Sequence, residues 1–102
     1  FAHWQLDTDR EVLTAADGSE TGLTTAEFRL LAVLLARPRL ILSRDQLLDL
    51  TSGRAAQAFD RAIDNQISRL RRKIEIDPAR PAIITTVRGG GYCLATDVTD
   101  LA

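Results

Sequence analysis

A chain of 102 residues, 45% hydrophobic and 26% charged, has the size and balance of one soluble globular domain. That composition excludes a disordered segment, a collagen-like repeat and a coiled-coil rod. The longest apolar stretch, around residues 30–36, falls well short of the ~20 residues that cross a bilayer, so no membrane partner is expected.

The formal net charge of −1 conceals an asymmetry. Residues 1–36 hold two arginines against six acidic groups, residues 37–88 hold eleven basic groups against six acidic, and residues 89–102 add two acidic groups. A basic middle between acidic ends is a localised positive surface written in one dimension. Phe1 opens directly on a strand-like pattern without a leader, and the missing initiator Met marks the chain as an expected fragment of something longer. The single Cys93 can neither close an internal disulfide nor build a structural zinc site, so a reducing, cytoplasmic setting is expected, with no metal and no cofactor.

In chain order, Trp4 and Leu6 alternate with His3, Gln5 and Asp7 as a first strand. A second short run covers 11–14, an Asp17-Gly18 turn follows, and 20–23 returns as a third strand. Thr24 to Glu27 fits a capping box, after which Phe28, Leu31, Ala32 and Leu35 recur at helical spacing until Arg37-Pro38. Residues 40–42 read as a short extended piece. Ser43 to Gln46 is a second capping box opening a two-turn helix through Leu47, Leu48 and Leu50, which breaks at 51–54. A longer helix starts near 58–60 and runs to about Glu75, before Pro78. Two strands, 83–88 and 92–95, are joined by Gly89, Gly90 and Gly91.

The third helix is the informative element. At about 100° per residue, Phe59, Ile63, Ile67, Leu70 and Ile74 form one apolar stripe. Arg61, Asn65, Ser68 and Arg72 lie opposite, with Arg69 at the edge; Asp64 and Arg71 share one flank, Gln66 and Lys73 the other. Any surface helix has a polar face, and basic residues near its end also complement the macrodipole. Here a short capped helix and a break come directly before it, the arrangement of a helix-turn-helix whose second helix enters a major groove. In the hairpin, alternation places Ile83, Thr85 and Val87 inward with Tyr92 or Leu94, leaving Thr86 and Arg88 free beside a turn small enough to meet a minor groove or phosphates. The glycines match neither phosphate-cradling fingerprint, and no helix follows them. No enzyme is expected. The lone His3 is near the terminus, and Asp7/Asp9 and Asp97/Asp100 read as solvated charge.

The segments 23–31, 42–48, 60–74 and 85–92, in that order, resemble the C-terminal effector domain of OmpR/PhoB-type response regulators over nearly the whole chain. The resemblance implies an α+β winged helix-turn-helix: an N-terminal antiparallel sheet of about four strands, three helices and a C-terminal β-hairpin wing. It implies sequence-specific binding of double-stranded promoter DNA as a head-to-tail dimer, helix in the major groove and wing in the minor groove. Carried over residue by residue, it assigns Arg61, Asn65, Gln66, Ser68, Arg69 and Arg72 to DNA from the helix and Thr86 and Arg88 from the wing. Ser43 and Arg44 would meet a backbone phosphate. Asp49, Thr51, Ser52, Gly53, Arg54 and Gln57 fall in the loop that meets RNA polymerase in activators of this type. A sensor histidine kinase would act through a receiver domain that is absent from this chain. Arg39 stands where the family often has glycine, and Asn65 where it commonly has an apolar residue. The alternative is a winged-helix module whose basic face docks an acidic protein.

Overall fold

Residues 1–51 and 60–98 are described by the computed structural model, residues 60–62 without their side chains. Strand β1 (Trp4–Asp7) pairs antiparallel with β2 (Val12–Ala15), and β2 with β3 (Glu20–Gly22). Both connections are held by an aspartate that folds back on its own backbone. Asp7 Oδ1 accepts from the N–H groups of Asp9 and Arg10 at 3.0 and 3.1 Å, and Asp17 Oδ1 accepts from the Ser19 N–H at 2.9 Å. Gly18, at φ 88°, supplies the left-handed residue that the Asp-Gly signal predicts. Among the described residues this sheet has three strands, where the resemblance implied about four; the short strand β4 (Ile41–Leu42) joins the second sheet instead.

Helix α1 (Thr25–Ala36) begins at the predicted capping box. Glu27 N–H donates to Thr24 Oγ1 at 3.2 Å while Thr24 N–H donates to Glu27 Oε1 at 2.9 Å. The side chains that reach the interior are Leu30, Leu31 and Leu34, with Phe28, Ala32 and Leu35 half-buried. The apolar face is thus wider than the predicted stripe, because α1 packs against both other helices and against the second sheet. Helix α2 (Arg44–Thr51) opens with the same reciprocal pair, Gln46 N–H to Ser43 Oγ and Ser43 N–H to Gln46 Oε1. Between α1 and α2, Arg39 occupies the glycine-favouring region at φ 64°; its N–H donates to the Leu94 carbonyl at 2.8 Å and its Nε to Asp97 at 3.0 Å.

Helix α3 (Asp60–Ile74) buries Ile63, Ile67, Leu70 and Ile74 in a single core with Leu13, the α1 and α2 leucines, Ile84 and Leu94. Phe59, predicted to extend that stripe, lies outside the described residues. Three long-range hydrogen bonds fix the end of α3. Trp4 Nε1 donates to the Ile74 carbonyl at 2.9 Å, and Lys73 Nζ donates to Glu27 Oε1 and to the Gly22 carbonyl.

Strands β5 (Ile84–Val87) and β6 (Gly91–Leu94) form the C-terminal hairpin, and β4 pairs with β6 to give the order β4-β6-β5. Cross-strand partners share a face. The register sets Ile84 opposite Leu94 and Thr86 opposite Tyr92, so Ile84 and Thr86 lie on the inner face rather than Thr85 and Val87. The predicted facing holds in part: Ile83 is buried and Thr86 and Arg88 are exposed as expected, but Ile84, expected on the outer face, is fully buried opposite Leu94.

Gly91 has φ 122°, and a Cβ there would stand 2.8 Å from Ser43 Cα and still closer to the Leu42 carbonyl oxygen. Gly91→Ala is expected to lower stability by more than about 3 kcal/mol, through backbone strain plus an unrelievable clash. At Gly89, where φ is 73° and the space is open, alanine should cost only about 1 kcal/mol. Thermal melts of the two variants check the contrast. Burial disfavours the Glu27 carboxylate, but Lys73 and the Thr24 backbone outweigh it, leaving its pKa below the ordinary value. The contribution of this pair is present above the ordinary carboxylate pKa and is lost as pH falls through the lowered folded-state value. Lys73→Met should cost about 2–3 kcal/mol at neutral pH by urea titration, less than a fully enclosed pair because Lys73 keeps some solvent, and its gap from the unaltered chain should narrow below about pH 4.

Candidate nucleic-acid interface

Four of the basic side chains described along α3 divide into two pairs. Arg71 and Lys73 turn inward: Arg71 Nη2 donates to the Ile84 carbonyl at 2.8 Å and to Thr86 Oγ1 at 2.9 Å, and Lys73 is held by Glu27. Arg69 and Arg72 are exposed and have no hydrogen-bond or ion-pair partner among the described residues. Asn65 and Ser68 are exposed with them, at spacings that place all four on one helix face, and Gln66 is half-buried at its border. The Arg61 side chain lies outside the described residues. Among its described side chains α3 thus presents to solvent the unpaired guanidiniums of Arg69 and Arg72, an amide and a hydroxyl, backed by four buried aliphatic side chains.

The hairpin tip lies beyond β5, where Arg88 is exposed and likewise unpartnered among the described residues. Gly90 N–H closes the turn on the Val87 carbonyl at 3.1 Å. Thr86 is exposed, but its hydroxyl oxygen is already occupied by Arg71.

At the start of α2 the predicted phosphate contacts are engaged within the protein. Both the N–H and the Oγ of Ser43 are used in the capping box, so its N–H is not free as expected. Arg44 Nε donates to Asp64 Oδ1 at 2.8 Å, and its guanidinium lies 5.7 Å from the centroid of the Tyr92 ring. The Tyr92 hydroxyl donates to the same Asp64 oxygen, and the Arg71 guanidinium lies 5.5 Å from the ring centroid. Burial first, and then the bond to negatively charged Asp64, raise the Tyr92 pKa; the same carboxylate raises that of Arg44. Of the loop 49–59, Asp49 is exposed and Thr51 Oγ1 donates to the Leu47 carbonyl at 2.6 Å; Ser52, Gly53, Arg54 and Gln57 lie outside the described residues.

Sequence reasoning did not single out Asp64, Arg71, Lys73 or Glu75. Glu75 is 8% exposed, and its carboxylate accepts from the N–H groups of Ala82, Ile83 and Ile84 at 2.8–3.1 Å. Its signal was an acidic residue at a helix C-terminus, which is unfavourable unless satisfied from elsewhere. Among the described residues no group of three His, Cys, Asp or Glu side chains is placed to hold a metal, and no helix is long and apolar enough to cross a membrane.

Residues 18–94 match the family described as transcriptional regulatory protein, C terminal. The regulatory protein VirG of Agrobacterium fabrum is 48% identical over 98 residues, covering 96% of this chain and 39% of VirG. The transcriptional regulatory protein AruR of Pseudomonas aeruginosa is 44% identical over 100 residues, covering 98% of this chain and 41% of AruR. The chain therefore spans about two fifths of the length of these relatives. A crystal structure of the Klebsiella pneumoniae RstA DNA-binding domain in complex with the RstA box superposes with a TM-score of 0.81 at 34% identity, covering 93% of each chain. The DNA-binding domain of Bacillus subtilis CssR superposes at 0.79 with 26% identity, covering 89% of this chain and 98% of that one. With the order of helices and hairpin already established, these matches show that the chain belongs to the family of C-terminal domains of transcriptional regulatory proteins, of the OmpR/PhoB winged-helix type.

Proposed function

We propose that this domain binds double-stranded promoter DNA in a sequence-specific manner, as the output module of a transcriptional response regulator. The observation that carries the reading is the pair of exposed, unpartnered guanidiniums of Arg69 and Arg72 beside Asn65 and Ser68 on a helix whose other side is core. Guanidinium, amide and hydroxyl groups are the ones that hydrogen-bond base edges and phosphates. The RstA domain in complex with its box, at 34% identity, supports it. In this reading α3 enters the major groove and the hairpin the neighbouring minor groove. Arg69 reads a base, Arg61 and Arg72 anchor phosphates, and Asn65, Gln66 and Ser68 complete the helix surface. Thr86 and Arg88 contribute from the wing, and Ser43 and Arg44 lie at the backbone end.

The rest of the assignment concerns the longer protein. The domain would sit on promoter repeats as a head-to-tail dimer, with residues 49–59 turned toward RNA polymerase. A receiver domain outside this chain would couple it to a sensor histidine kinase in the cytoplasm. The function is one of binding, without catalysis or cofactor.

Arg69→Ala should lose about 1–3 kcal/mol on the preferred duplex and relax preference at one position. Arg72→Ala should weaken all sequences alike and flatten the slope of log affinity against log salt by about 0.9. Anisotropy titrations of labelled duplexes across salt measure both. Wild-type affinity in both variants would remove the groove assignment, and binding without salt dependence would favour the docking of an acidic protein.

A further inference from the structure

One acidic side chain stands on the flank of the basic surface and takes no part in the core. Asp64 accepts from the Arg44 guanidinium in the first turn of α2 and from the Tyr92 hydroxyl on β6, and the Tyr92 ring in turn lies against Arg71, which grips Ile84 and Thr86 of β5. A carboxylate here opposes the approach of a polyanion, so a surface tuned only for affinity would omit it.

We infer that Asp64 is a positioning and specificity residue that governs how far Arg44 is available to the DNA backbone, holding it against Tyr92 until a correctly seated duplex competes for it. The inference rests on the DNA-binding reading. Its physical basis is a competition between two anions for one guanidinium. The Asp64 oxygen lies 2.8 Å from Arg44 Nε and accepts at the same time from the hydroxyl of the buried Tyr92, which holds it in place. A DNA phosphate must match that charge-assisted bond before it recruits Arg44. Phosphate contacts supply most of non-specific affinity, so withholding one cation from loosely seated duplexes lowers non-specific binding more than specific binding. The Arg44 side chain is 47% exposed, so it is reachable from solvent while it is held.

The test is a double-mutant cycle read by anisotropy on a random-sequence duplex, titrated over roughly 50–200 mM salt. Asp64→Asn should bind this duplex several-fold more tightly at the low-salt end, with a salt slope steeper by up to about 0.9, the equivalent of one phosphate. Arg44→Gln should flatten the slope more in the Asp64→Asn background than in the unaltered chain, and Asp64→Glu should keep the wild-type slope. A merely structural aspartate predicts weaker binding at every salt with no steeper slope. That result, or equal effects of Arg44→Gln in both backgrounds, overturns the inference while leaving DNA binding in place. Absence of salt-dependent binding by the unaltered chain removes the DNA reading, and this inference with it. Should Asp64→Asn lose its cooperative melt, the unaltered chain still decides by NMR. The Arg44 Nε–H should exchange with water several-fold more slowly than that of Arg72, and equal rates overturn the inference.

Discussion

The structure depends on a single helix being required on both sides. Ile63, Ile67, Leu70 and Ile74 are each almost completely buried. At roughly 1.5–3 kcal/mol for each enclosed aliphatic side chain, they tie α3 to the core more firmly than any polar contact on the opposite face could disturb. That imbalance lets the outer face carry Arg69, Arg72, Asn65 and Ser68 without internal partners. The leucines of α1 and α2 supply the bed, and the first sheet clamps the far end through Trp4 and Gly22.

Polar contacts then settle orientation rather than existence. Lys73 ties α3 to the start of α1, Arg71 ties it to β5, and Asp64 ties it to α2 and β6. These bonds leave the flanks of α3 in several directions, so rotation about its axis is restrained from either side. A helix that was only greasy behind could roll by part of a turn; one pinned through both flanks presents the same four side chains each time.

What was legible beforehand follows the range of the interactions. Both capping boxes span three residues, and both formed where Thr24/Glu27 and Ser43/Gln46 predicted them. The apolar stripe and polar face of α3 were equally readable, since a helix fixes the angle between neighbours by geometry alone. The same helical angle sets Arg72 opposite the stripe and Arg71 on a flank. What it does not encode is the partner that Arg71 finds there, the Ile84 carbonyl on β5. The burial of Ile84 was not legible for a related reason, because it follows from the register that pairs Ile84 with Leu94. Trp4 with Ile74 and Glu27 with Lys73 join positions 70 and 46 residues apart, which no local pattern encodes.

Glu75 grips the chain by its peptide groups, not by its side chains. A clasp of that kind is indifferent to which amino acid occupies the positions it holds, so the entry to β5 is free to drift in identity so long as packing permits. Proline is the exception at Ala82, Ile83 and Ile84, for it brings no amide hydrogen and would leave an enclosed negative charge short of a donor. The segment is thus policed by a prohibition on one residue type, a rule that composition alone would never disclose.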